Sequence, residues 1–158
     1  MIPLRTISLE PGSSAPLKAV DWTLLAVRAA AATIFVAHGA QKLFGAFGGP
    51  GLEAVVQNMG PLGYFVAAGE FFGGLGILIG VLPRFSALSI IAIMVGAIAT
   101  VHGKNGFFLD KGGFEYNLAL IALLLPILIL GPGRIAISEH VSLWRPKQRV
   151  QSKTAAQS

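Results

Sequence analysis

His38, Gln41, Lys42, Glu70, His102, Glu115 and Asn117 each lie in or beside a long apolar run. An ionisable group in such a run is costly unless it is paired, hydrated or neutralised, so each one calls for a partner. His38 and Lys42 stand at i and i+4 with Gln41 at i+3, so one helix presents an imidazole, an amide and an ammonium at the same level. Counting about 1.5 Å per helical residue, His38 and Glu70 fall at a similar depth, roughly 9–10 Å from one end of their segments. His102 closes a third run, and Glu115 and Asn117 open a fourth at that same end. A buried carboxyl beside an imidazole or ammonium can pass protons or hold a small polar head group, including that of a quinone. The same residues also fit a structural ion pair of Glu70 with Lys42 or His38 that fixes helix register. His38 and His102 could ligate haem across a bundle, but two histidines alone argue poorly for it, and no metal site is expected.

Four elements must position these groups: apolar segments at residues 22–44, 64–82, 85–101 and 114–130. Each is near the roughly 17–25 helical residues that cross a hydrocarbon layer. Backbone groups in lipid must be satisfied internally, which makes these runs helices. The expected fold class is therefore all-α, a polytopic membrane four-helix bundle. Between the first two segments, Leu52, Val55, Val56 and Met59 recur at i, i+3, i+4 and i+7, with Glu53, Gln57 and Asn58 on other faces. That spacing predicts a short interfacial helix. Breakers separate the elements: Gly48-Gly49-Pro50-Gly51, Gly60-Pro61, Pro83, Gly112-Gly113 and Gly131-Pro132-Gly133. Residues 1–21 and 135–158 read as polar tails around a membrane domain at 22–134.

Composition agrees. Of 158 residues, 54% are hydrophobic and only 12% charged, against roughly 25% charged in soluble domains. Mean hydropathy is +0.71. With no Cys, the chain has no disulfide, no thiolate metal site and no cysteine nucleophile. The net charge of +5 comes from Lys and Arg that flank apolar runs, which suits anionic lipid and excludes a nucleic-acid patch. Arg5, Lys18, Arg28, Arg84, Arg134, Arg145, Lys147, Arg149 and Lys153 fall on one side and Lys42, Lys104 and Lys111 on the other. That imbalance places both termini in the cytoplasm, with the first helix retained and not cleaved as a signal peptide.

Small residues predict the helix contacts. Gly69, Gly73, Gly76 and Gly80 form one stripe, and Ser86, Ser89, Ile93, Gly96 and Thr100 another, both expected to face neighbouring helices, with a hinge or substrate channel as the alternative. Pro126 is expected to kink the fourth helix. Arg28 reads as a side chain snorkelling to lipid phosphate, Arg84 as a topology anchor and His140 as solvated. Phe44, Phe47, Tyr64, Phe65, Phe71, Phe72, Phe107, Phe108, Phe114 and Tyr116 gather near the connecting loops, where they suit interfacial anchors and equally the flat ring of an aromatic or quinone ligand. The order Arg28, His38-Gly39, Lys42, Glu70 recurs as Arg84, His102-Gly103, Lys104, Glu115, which suggests two helical hairpins of related design. No phosphate-binding glycine loop or dinucleotide fingerprint is present.

The series Arg28, His38-Gly39-Ala40-Gln41-Lys42-Leu43-Phe44-Gly45, Glu70 with Gly74, His102-Gly103, Gly106-Phe107-Phe108, Gly113-Phe114-Glu115-Tyr116-Asn117 and Gly131-Pro132-Gly133-Arg134 resembles the DoxX family of small bacterial membrane proteins. The likeness covers roughly residues 22–134 and implies a four-helix protein of the cytoplasmic (inner) membrane. Some relatives are linked to thiosulfate:quinone oxidoreduction and others to resistance against quinones, catechols or oxidants. The resemblance implies a subunit of a quinone-linked oxidoreductase or a detoxification system, with quinone as substrate and a redox partner subunit; a homo-oligomer is a further partner to consider, and the sequence does not give the oligomeric state. The resemblance assigns no catalytic residue and no cofactor. Without Cys, thiosulfate chemistry would need a partner or a non-covalently held substrate. The rival functions are a small-solute binding or transport module and a non-catalytic membrane assembly subunit.

Overall fold

The computed structural model describes residues 17–140, and those residues contain helices and turns with no strand. The helices are α1 (Ala19–Phe44), α2 (Gly51–Met59), α3 (Leu62–Ile79), α4 (Pro83–Ala97), α5 (Glu115–Leu130) and the short α6 (Ile137–His140). Beyond α4 the chain continues through a π-helical turn, Ile98–His102, and a 3₁₀ turn, Gly103–Asn105. Arg5, Arg145, Lys147, Arg149, Lys153 and the His140 side chain lie outside the description. Residues 19–21 form the first turn of α1, and Ala136 is buried.

Ala29–Ala32 and the leucines around them give α1 strong helix formers over 26 residues, about 39 Å of helix. It stops at Gly45, whose left-handed φ of 68° lets its N–H reach the carbonyls of Ala40 and Gln41. Pro83 opens α4 at a position where its missing N–H costs nothing. Ala19–Phe44, Leu62–Ile79 and Pro83–Asn105 are long and apolar enough to cross a membrane. α5 is apolar but has 16 residues, fewer than a full span, because Phe114 precedes its first turn and Gly131 ends it at φ 86°. It runs unbroken through Pro126.

The four long helices alternate in direction, with α1 against α3, α3 against α4, α4 against α5 and α5 against α1. Ala31 and Phe35 of α1, Ile77 of α3, Ala87 and Ile90 of α4, and Leu120, Leu124 and Ile127 of α5 build the core. The predicted interfacial helix is α2, with Val55 buried and Glu53 and Gln57 exposed. The glycine stripe of α3 does face α4: a Cβ at Gly69 would lie 2.7 Å from Ile93 Cδ1, and one at Gly76 2.6 Å from Ser86 Oγ. A tighter seam joins α1 and α3. A Cβ at Gly39 would fall 2.5 Å from Phe71 Cα, and one at Gly74 would fall 3.0 Å from Val36 N.

Two expectations need correction. Arg28 does not snorkel. It is 1% exposed, and its guanidinium donates to the carbonyls of Ile77 (2.8 Å) and Leu78 (2.5 Å) at the end of α3, and of Pro132 (3.1 Å) and Ile135 (2.6 Å) after α5. The last carbonyls of a helix lack intrahelical partners and carry its negative dipole end, so a five-donor planar cation fits there better than in lipid. Nearby, Asp21 accepts the backbone N–H groups of Lys18 and Arg134, both at 3.0 Å. The second correction concerns the α4 stripe, which packs only in its first half. Among the described residues nothing lies within 4 Å of a Cβ placed at Gly96, and Gly96 and Thr100 are exposed.

Candidate head-group cavity

At the end of the bundle away from Arg28, the helices enclose a cavity of about 590 Å³. This lies within the roughly 300–1,000 Å³ of small-molecule sites. Five of the seven residues singled out in the sequence line it: His38 and Lys42 from α1, Glu70 from α3, His102 from the π-helical turn and Asn117 from α5. Phe35, Met94 and Leu120 form an apolar floor. The helical period delivers His38 and Lys42 to one face, and α1's close approach to α3 across Gly39 and Gly74 brings Glu70 to meet them.

Glu70 is 3% exposed and pairs with Lys42, whose Nζ donates to Oε2 at 2.5 Å. Lys42, not His38, is thus the partner of the carboxylate. An ammonium has three donors, so Lys42 can hold Glu70 and still offer an N–H to a ligand oxygen. Among the described residues His38 has no hydrogen-bond partner, and it faces the cavity. Asn117 is buried, and its amide N–H points at the sulfur of Met94, 3.6 Å away. A thioether is a weak acceptor, easily exchanged for a better one.

His102 is oriented by its surroundings. Its Nδ1 lies 2.8 Å from the carbonyl oxygen of Gly112, which also accepts from Asn105 Nδ2 at 3.2 Å. A carbonyl oxygen only accepts, so Nδ1 carries the proton, and in the neutral ring Nε2 is the hydrogen-bond acceptor. The cavity therefore presents a hydrogen-bond donor at Lys42 and, in the neutral ring, a hydrogen-bond acceptor at His102.

Gln41 and Glu115 are not part of the lining. Gln41 packs under the connection after α1, where a Cβ at Gly49 would lie 2.5 Å from its own Cβ. Glu115 accepts the backbone N–H of Leu109 at 2.9 Å and so holds the loop before α5. Both lie at the right depth on the wrong helix face, and depth is all that residue counting supplies. Sequence reasoning missed the apolar floor and the exposed Thr100. The hydroxyl- and glycine-bearing end of the α4 stripe was its only trace.

The sequence repeat has a partial structural counterpart. Arg28 caps the end of α3, and Arg84 Nη2 donates to Ile129 O at 3.2 Å near the end of α5. His38 and His102 both reach the cavity, whereas Glu115 has no counterpart of the Lys42–Glu70 pair.

The DoxX family model matches residues 23–103, slightly more than half of the chain, and the match spans α1 to α4 with His38, Lys42, Glu70 and His102. The chain belongs to the DoxX family. A Bacillus subtilis (strain 168) protein named "Putative oxidoreductase CatD" is 29% identical over 112 residues, 67% of this chain and 78% of that protein. No solved structure matches the chain. Family membership and the apolar helices make this DoxX protein a membrane protein.

Proposed function

We propose that this DoxX protein is the membrane subunit of a quinone-linked oxidoreductase or oxidant-detoxifying system, and that the cavity receives the quinone head group. The observation that carries the reading is the Lys42–Glu70 pair set beside His38 and His102 in an otherwise apolar chamber. Reducing a quinone takes two electrons and two protons. Electrons would come from a redox partner subunit. Lys42 would donate to a quinone oxygen and stabilise the negative charge that builds there, and Glu70 would relay the protons. The name of the Bacillus relative supports oxidoreduction in general. The charge distribution supports an inner-membrane location with both termini in the cytoplasm.

The test is purification with native lipids and partners, identification of bound small molecules, and quinone turnover by the Glu70→Gln variant. Quinone should co-purify. Turnover should fall about 100-fold or more, in the range of a lost acid–base group, while insertion stays normal. Wild-type turnover by that variant would remove Glu70 from the mechanism.

A further inference from the structure

We infer that the cavity opens sideways into the bilayer through a fissure between α3 and α4, and that its ligand is a membrane-dissolved amphiphile with an uncharged polar head and a hydrocarbon tail. The inference rests on the head-group reading above and adds the route of entry and the class of ligand.

The two helices are joined along only part of their length. Gly73 and Gly76 seat Ile90 and Ser86, and Gly69 makes the last such contact, with Ile93. Beyond it, Leu62 and Phe65 of α3 and Gly96 and Thr100 of the opposite wall all line the cavity, and all are exposed. Among the described residues, Gly96 meets no neighbour that would close the gap. Leu62 is 65% and Phe65 73% exposed, whereas Phe35 and Glu70, at the far wall, are 1% and 3% exposed. The chamber thus runs from a hydrocarbon mouth inward to the buried Lys42–Glu70 pair. A shallow external groove continues from it, sharing Phe65 and Ile93 and reaching Tyr64 and Ser89. These helices are apolar enough to lie in lipid, so a mouth on their flank faces acyl chains.

Charge selects the head. Among the described residues, Lys42 and Glu70 are the charged members of the lining and cancel each other, so an anionic head would bring an uncompensated charge into the chamber. An uncharged head with hydroxyl or carbonyl oxygens can accept from Lys42 and donate to His102, while its tail lies along Phe65 and Ile93 and leaves through the mouth.

The absence of Cys makes the test direct, since a single introduced thiol is the only one in the chain. In the full-length protein in lipid nanodiscs, His38→Cys reports on the far wall, and Gly96→Trp fills the mouth with a side chain for which the structure has room. A bilayer-partitioned alkyl maleimide should label His38→Cys at least tenfold faster than a membrane-impermeant sulfonated maleimide. Adding Gly96→Trp should slow the alkyl reagent at least tenfold, and denaturant-exposed labelling should be equal in both proteins. Faster labelling by the sulfonated reagent, or a rate unchanged by Gly96→Trp, would overturn the inference, because the cavity would then be reached from water or by another path. The readout needs no turnover. Failure here with Glu70→Gln still inactive removes only the lateral mouth, whereas lipid-side labelling with no quinone bound removes only the quinone assignment.

Discussion

At the scale of single residues, the cavity and the opposite end of the bundle use buried charge differently. Arg28 is surrounded by four carbonyl oxygens and serves the fold. Arg28→Lys should not rescue it, because an ammonium lacks the planar fork that spans two chain ends. Stranding several buried acceptors at about 1–3 kcal/mol each should lower thermal stability in detergent for both Arg28→Lys and Arg28→Met, the latter more. Equal melting temperatures for wild type and Arg28→Met would contradict this account. Lys42 is different, because its partner Glu70 is the more buried of the two. Lys42→Met alone leaves a carboxylate without its cation, at a cost of about 3 kcal/mol. Lys42→Met with Glu70→Leu should recover most of that stability but no activity. His102 gives the finest test. Gln at position 102 can still donate to the Gly112 carbonyl yet takes up no proton, so His102→Gln should bind quinone normally and turn it over about 100-fold more slowly. Equal losses of binding and turnover would make His102 only a loop fastener.

At the scale of elements, glycines with the same look in the sequence have opposite roles. Gly39 and Gly74 allow α1 and α3 to touch backbone to backbone, and this contact places Lys42 against Glu70. Gly39→Ala would push a methyl into the backbone at Phe71 and should cost about 3 kcal/mol and separate the ion pair. Gly96→Ala meets nothing among the described residues and should be neutral or stabilising by up to about 1 kcal/mol, since alanine is the better helix former. Thermal melts of the two variants check the contrast, and similar losses would place Gly96 in a packed seam after all. The π-helical turn at Ile98–His102 belongs to the same scale. It carries His102 onto the cavity wall, and the loop that follows is held by the bonds at Gly112 and Glu115.

At the scale of the whole molecule, α1 begins and α5 ends at the Arg28 end, whereas the cavity and the loop at Leu109–Lys111 lie at the other. In the proposed orientation, with both termini in the cytoplasm, the cavity end faces away from the cytoplasm. In intact cells, an impermeant maleimide should therefore label Lys111→Cys and leave Val81→Cys unlabelled until the membrane is opened; the reverse pattern would invert the topology. Both positions are exposed, and the chain has no competing thiol.

Much of this was legible from the order of residues alone. The apolar runs, the breakers between them and the period of α2 specify helices, because in lipid the backbone has no other way to satisfy its polar groups. The i, i+4 spacing was enough to bring His38 and Lys42 to one face. What needed the tertiary structure was every choice between equally deep groups. Only helix rotation and the Gly39–Gly74 approach pair Glu70 with Lys42 in place of His38, send Gln41 and Glu115 away from the chamber, and leave Gly96 unpacked. Arg28 shows the reason most plainly. Its carbonyl partners lie 49 to 107 residues along the chain, and no local pattern records where a distant helix will stop.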